Sequence, residues 1–367
     1  MEKLYPIMTK AVELGATDIH LAFGQLPVYR VSRRLMFDDT KTPMTKDDLE
    51  NILESFFEII NGLKVNFEKK KQIDFSYTYQ GTRYRINASL SKGIPVFSLR
   101  VIPNGSIDLD SMGLIEVVKK MKKIRTGLIL VTGKVNSGKS TTMNAFIQEI
   151  NNEVSKKIVT LEDPIEYQHK SNKSIVIQKE IGEESDVMSY YNGLINLLRE
   201  DVDIAVLGEI RDRKTMNVAI DLAESGGLVI GTLHTRSCGE TVERIINMYE
   251  PAEQNAIKNT VSSVLKMVIS QKLILNTKGN LMMVPEIMVV NNVISAQIRQ
   301  EKFSVSDIED TIHASKSIGS MSFESSFAEL YNKGLIDMNI LKENIEPERM
   351  NTVRGLIITN GGNFDEK

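Results

Sequence analysis

A single cysteine, Cys238, in 367 residues leaves nothing for an intramolecular disulfide framework or a multi-cysteine zinc site. The four histidines, His20, His169, His234 and His313, share no ligand-like spacing, which argues against a metal centre of the His/Cys kind. No apolar run approaches the roughly 20 residues needed to span a bilayer. The opening MEKLYPIMTKAVELGATDIH also lacks the apolar core of a signal peptide. A cytoplasmic protein with no membrane insertion is therefore expected. Excess charge is missing too: a formal net charge of −3 offers no electrostatic reason to expect a nucleic-acid partner. What is present, 41% apolar and 25% charged residues, is the composition of an ordinary globular chain, and its length favours two domains over one.

Internal repeats and low-complexity segments are absent, so the chain is divided by its turn residues. The cluster Pro103-Asn104-Gly105-Ser106 separates two regions of different rhythm. Before it, Asp74 to Ala88 alternates apolar with polar residues around Gln80-Gly81, a hairpin signal. Pro95 to Ile102 reads as a further strand and Lys46 to Asn61 as an amphipathic helix. These predict a small α+β domain over 1–103 with an antiparallel sheet, and a linker over 104–110. After it, short apolar runs at Gly127–Thr132, Lys157–Leu161, Ile204–Leu207 and Leu228–Thr232 alternate with helical segments. That rhythm predicts an α/β domain over 111–367 built on a mainly parallel sheet. Beyond about residue 250 the pattern is mostly helical, with one more apolar run at Leu281 to Val290.

At the end of the first of those runs stands GKVNSGKSTT, residues Gly133 to Thr142. It fits G-x-x-x-x-G-K-[ST], with a strand before it and a helix after it, the context that identifies a phosphate-binding loop. Gly133 and Gly138 let the backbone approach phosphate oxygens closely. Asn136 stands where such loops often have glycine, and asparagine is among the residues best able to enter left-handed conformations. The N–H groups from Val135 to Ser140, those of Asn136, Ser137, Gly138 and Lys139 included, then face an anion at the positive end of a helix. Lys139 reaches the β- and γ-phosphates, the Ser140 hydroxyl ligates Mg²⁺, and Thr141 bonds an α-phosphate oxygen. Such a site needs a carboxylate from a neighbouring strand, and two apolar runs end in one: Glu162, followed by Asp163 and Glu166, and Glu209. A third run ends in His234, placed to sense a γ-phosphate. An acid or histidine at the end of one isolated strand would more commonly be a solvated loop residue. Several at the same end of one sheet, beside a phosphate loop, favour function.

The order GKVNSGKSTT, IVTLEDPIEYQH, LLREDVDIAVLGEIRD and GGLVIGTLHTRS resembles the secretion-ATPase superfamily of type IV pili and type II secretion. The four stretches look like its Walker A, Asp box, Walker B and His box. Within that superfamily the chain is most similar to the PilT-type pilus-retraction ATPases, from ATDIHLAFGQLPVYRV to SSFAELYNKGLI. The resemblance implies a PAS-like N-terminal domain and a RecA-like ATPase domain. It also implies a ring homo-hexamer that hydrolyses MgATP, working on an inner-membrane pilus platform protein from the cytoplasmic face. Lys139 and Ser140 carry over as phosphate and Mg²⁺ contacts, Glu162 as the Asp-box acid, Glu209 as the Walker B acid that with Ser140 serves the metal, and His234 as the His-box residue. Which glutamate is the general base stays open, with Glu162 preferred. Arg83, Arg85 and Arg100 match basic positions from which the family brings arginine to the phosphates; Arg83 and Arg100 are the stronger candidates. The chain departs from the family at Lys134 and Asn136, usually Pro and Gly, and at Gly227, usually a second histidine. VISAQIRQEK at 293–302 keeps only part of an element associated with retraction. The nearest alternatives are an assembly or secretion ATPase of the same superfamily and a regulatory nucleotide-binding protein with weak hydrolysis. The absence of a four-cysteine insertion disfavours the former, and retention of Glu162 and Glu209 the latter.

Overall fold

A computed structural model describes residues 1–31, 34–102, 115–182 and 185–364. The turn cluster at 103–106 and the linker expected over 104–110 lie outside the described residues. Packing groups the chain into two compact units. One comprises Met1–Ser106 with Glu162–Gln168 and Glu180–Met188; the other holds the rest.

In the first unit six strands form one sheet: β1 (Asp18–Leu21), β2 (Val28–Val31), β3 (Arg34–Phe37), β4 (Gln72–Tyr79), β5 (Thr82–Ser91) and β6 (Ile94–Ile102). Their order is β3-β2-β1-β6-β5-β4, and every pairing is antiparallel. The expected hairpin is β4–β5. Gln80 and Gly81 have φ of 47° and 79°, the positive values a two-residue type I′ turn requires. The expected amphipathic helix spans Lys46–Ile59. Thr45 starts it with a capping box shared with Asp48, and Leu49, Ile52, Leu53 and Phe56 recur at helical spacing on its buried face. Together with the helix Leu4–Glu13 it covers the sheet face that carries Ile19, Tyr84 and Ile86. Residues alternating with these on β5, Arg83 and Arg85 among them, point to the other face.

The second unit is built on a seven-stranded sheet: β7 (Gly127–Thr132), β8 (Lys157–Glu162), β9 (Ile175–Glu180), β10 (Ile204–Leu207), β11 (Leu228–Leu233), β12 (Leu265–Leu275) and β13 (Leu281–Val289). The order is β13-β12-β7-β11-β10-β8-β9. β12, β7, β11, β10 and β8 pair in parallel, and β13 closes the edge antiparallel to β12. β7 and β11 are buried at every residue, as strands covered on both faces must be, which is why they read as unbroken apolar runs. β12 corrects the expectation of a mostly helical end. It follows the helix Pro251–Val264 without a turn, so its apolar residues extend the helical pattern with no punctuation between them. The helices Phe323–Asn332, Met338–Asn344 and Met350–Thr359 add a separate apolar cluster around Phe327, Leu341, Val353 and Ile357. Among the described residues no helix is long and apolar enough to cross a membrane.

Candidate active site

β7 delivers the chain into the loop Gly133–Ser140, and three backbone conformations shape it. Gly133, Asn136 and Gly138 have φ of 146°, 63° and 88°. A Cβ on Gly133 would lie 2.5 Å from the Gln271 carbonyl oxygen, and one on Gly138 would lie 2.9 Å from Leu273 Cδ1. Glycine is therefore required at Gly133 by space as well as by φ, and at Gly138 by φ. Asn136 adopts the left-handed conformation expected of it. The helix Lys139–Glu153 begins directly after Gly138, so the first-turn N–H groups of Ser140 and Thr141 sit at its positive end. Ser137, in the middle of the loop, is buried.

Three of the expected side chains meet here. Lys139 Nζ donates to the carbonyls of Gly133 and Lys134, both at 3.0 Å, and lies 3.3 Å from His234 Nδ1. His234 Nε2 is 3.0 Å from Glu209 Oε1, and Arg211 holds Glu209 Oε2 at 2.7 Å. An ammonium only donates, so Nδ1 is the bare acceptor of the imidazole and Nε2 carries the hydrogen that Glu209 accepts. The phosphate-loop lysine and the strand-end acid are thereby joined through one ring. Burial works to raise the Glu209 carboxyl, but the hydrogen bond and charge of Arg211, aided by His234, outweigh it and hold the group below the usual carboxylate range. Glu209 is thus an anion at neutral pH.

Glu162 ends β8 and is buried. Leu161 pairs with Leu207 in the parallel β8–β10 ladder, so Glu162 and Glu209 leave their strands at the same carboxyl end. Among the described residues no group of three or more His, Cys, Asp or Glu side chains gathers as a metal cage. The donors at the loop, the Ser140 hydroxyl and the Glu209 carboxylate linked to Lys139 through His234, are hard oxygens. They fit Mg²⁺, which is commonly held by one or two carboxylates plus phosphate oxygens. A cavity of about 490 Å³ extends from Gly133–Ser137 past Lys272 and Phe323 to Arg349. That volume lies in the range of small-ligand and cofactor sites, enough for a sugar and base beyond the loop.

A family model described as Type II/IV secretion system protein matches residues 2–303. The chain belongs to that family. It is similar to the type IV pilus retraction ATPase PilT of Pseudomonas aeruginosa, 33% identical over 92% of this chain and 96% of that one. It is also similar to a twitching motility protein of Neisseria gonorrhoeae, 34% identical over 90% of this chain and 87% of the relative. A crystal structure of the pilus retraction motor PilT with bound ADP superposes with a TM-score of 0.84 at 32% identity, covering 95% of this chain and 98% of that one. The fold is accordingly that of a RecA-like ATPase with an N-terminal domain, as the resemblance implied.

The two arginines proposed from the family pattern have partners within the first unit. Arg83 donates from Nε to the Ile165 carbonyl at 2.6 Å and pairs with Glu180 at 3.0 Å. Arg100, half exposed, pairs with Asp18 at 3.4 Å, its cross-strand neighbour on β1.

Four residues that the sequence patterns assign no role, Gln271, Asn144, His169 and Glu286, also shape the site. Gln271 underlies the phosphate loop. Asn144 donates to the Ser140 carbonyl at 2.8 Å and accepts from His169 Nε2 at 2.6 Å. Burial pushes His169 down to about 4, so the ring is neutral and one hydrogen serves Asn144. Glu286 on β13 accepts from the Cys238 N–H at 2.6 Å, pinning the start of the helix Cys238–Ile246 just after His234. Burial pushes the Glu286 carboxyl up to about 7.

This has a measurable consequence. The unfolded chain releases the Glu286 proton near the ordinary carboxylate value and the folded chain only near neutrality. Stability is therefore lost as pH rises from about 4.5 to about 7, by a few kcal/mol at roughly 1.4 kcal/mol per pH unit. Glu286→Gln keeps an oxygen for the Cys238 N–H and should remove most of that fall. Urea midpoints of the two proteins at pH 5 and pH 8 check it: an equal change in both would exclude Glu286 as the source.

Proposed function

We propose that the chain is a ring-forming motor ATPase, a homo-hexamer that hydrolyses MgATP to withdraw type IV pili. The observation that carries this reading is the Lys139–His234–Glu209 connection, which joins the phosphate loop to an ionised strand-end acid. Lys139, the Ser137–Thr141 backbone and the Ser140 hydroxyl would hold the triphosphate. Ser140 and Glu209 would hold Mg²⁺, which when bound neutralises charge on the β- and γ-phosphate oxygens. Glu162 is assigned as general base. Glu209, whose charge is engaged by Arg211 and His234 and held ionised, is assigned as organiser. His234, in touch with both Lys139 and Glu209, would report loss of the γ-phosphate to the acid.

Arg83 and Arg100 would supply guanidinium charge to the transferring phosphoryl group when residues 1–103 close on 111–367. Hydrolysis would then depend on domain motion, as a motor requires. Work would be delivered in the cytoplasm to an inner-membrane platform protein at the pilus base. Retraction is preferred to assembly because of the relatives named for retraction and twitching, with which similarity runs over nearly the full length. Deletion of the gene in the source bacterium, followed by imaging of pili, separates the two. Surplus pili that do not shorten are expected; a bald cell would reverse the direction to assembly.

A further inference from the structure

β12 lies directly beside β7, the strand that feeds the phosphate loop, with Ser270 opposite Thr132 in the parallel ladder. The next residue, Gln271, is 2% exposed and uses both ends of its amide on the loop and its helix. Nε2 donates to the Ser137 carbonyl at 2.7 Å, and Oε1 accepts from the Thr142 hydroxyl at 3.0 Å. Its backbone carbonyl is the atom that would meet a Cβ on Gly133, and its Nε2 would lie 3.3 Å from a Cβ on Gly138. One residue on a neighbouring strand therefore touches the loop at its entry, its middle and its exit.

Strand burial makes this arrangement costly to keep without purpose. A glutamine amide inside an apolar sheet costs free energy unless every polar atom is satisfied. Here the partners are supplied by the loop, at Ser137, and by the helix that follows it, at Thr142. The polar contacts continue across the sheet end. Ser270 Oγ is 2.6 Å from Thr132 Oγ1, Thr241 Oγ1 is 3.4 Å from the same oxygen, and Thr241 Oγ1 is 2.6 Å from Thr235 Oγ1. Thr132 precedes Gly133 and Thr235 follows His234, so a track of hydroxyls, half-buried at Thr235 and buried at Thr241, Thr132 and Ser270, runs from the histidine strand end to the foot of the loop, one residue from Gln271.

We propose that Gln271 is the positioning residue of the phosphate site. Its amide holds the loop crest at Ser137 against the helix at Thr142, so that the loop N–H groups are aimed at phosphate before a nucleotide arrives. The inference rests on the reading of Gly133–Thr142 as a nucleotide site. A loop held in its binding shape pays less ordering entropy on binding, so the loss of Gln271 appears first in affinity.

The test uses the purified full-length chain and a fluorescent ADP analogue. Binding by the parent chain is read first; failure there overturns the nucleotide site itself and this inference with it. Gln271→Met keeps volume and removes both amide bonds. It is expected to weaken ADP binding and raise the KM for ATP about tenfold, the scale of a lost buried hydrogen bond, while kcat changes less than about threefold. Thr142 also reaches the Gly138 carbonyl at 3.3 Å. Thr142→Val, which cuts one amide contact, should weaken binding by about threefold, whereas Thr142→Ser, which keeps the hydroxyl, should restore the parent value. A merely structural role would lower the unfolding midpoint and the active fraction without this split between KM and kcat. Parent-like affinity in both Gln271→Met and Thr142→Val overturns the proposal. Should Gln271→Met not fold, the Thr142→Val and Thr142→Ser pair decides it by the same affinities.

Discussion

Lys139→Ala is expected to lower steady-state ATP turnover by at least about 100-fold, with the fold intact. Lys139 Nζ sits 3.0 Å from two loop carbonyls and 3.3 Å from His234, at the mouth of the cradle formed by Gly133 to Ser140. A γ-phosphate there would draw the ammonium off those carbonyls, and the charge it brings has no substitute among the loop's neutral N–H donors. Alanine leaves the backbone cradle in place, so ADP binding should weaken far less than turnover. The bonds removed lie at a partly exposed surface, and their loss should move the unfolding midpoint little. Phosphate release measured in the presence of Mg²⁺ tests this. Turnover within a few-fold of the parent would remove Lys139, and with it the loop, from the chemistry.

Glu209→Gln is expected to lower turnover by roughly 100- to 1,000-fold while nucleotide affinity stays near the parent value. The substitution preserves shape but removes the anion that Arg211 and His234 hold ionised. An amide oxygen can still accept from one of those partners, so the strand end should keep its conformation. What it loses is the charge that, in the proposed site, would organise Mg²⁺ and the attacking water. The apparent Mg²⁺ requirement for ADP binding should rise as well, a readout independent of catalysis. If turnover stayed within threefold, Glu209 would be a structural counter-ion for Arg211 and the acid of the site would have to be Glu162 alone.

The part of the candidate site that the structure joins, Lys139, His234 and Glu209, is legible in the sequence because it depends on residue type at strand ends. The spacing of Gly133, Gly138 and Lys139, the acids closing β8 and β10 and the histidine following β11 are all local patterns, each bounded by an apolar run. Asn136 is readable too, since asparagine enters the left-handed backbone it adopts more readily than most side chains. β12 is not readable: it continues a helix without a turn residue, and Ser270 and Gln271 look like interruptions that disfavour a buried strand. Their partners, Thr132 and Ser137 with Thr142, come from more than a hundred residues away and are joined only by the parallel pairing with β7. The short strands β1 to β3 are missed for a simpler reason: each has four residues, too few for an alternation to declare itself.

Arg83 reaches across 82 and 97 positions of sequence to the Ile165 carbonyl and Glu180, and both belong with the first hundred residues in one compact unit. The N-terminal part is therefore not a module that can be lifted out at the linker. A shortened chain would keep 162–168 and 180–188 but lose Arg83, the β5 partner of the Ile165 carbonyl and of Glu180. Exchange of domains between two relatives would have to transfer three separate pieces of chain, not one.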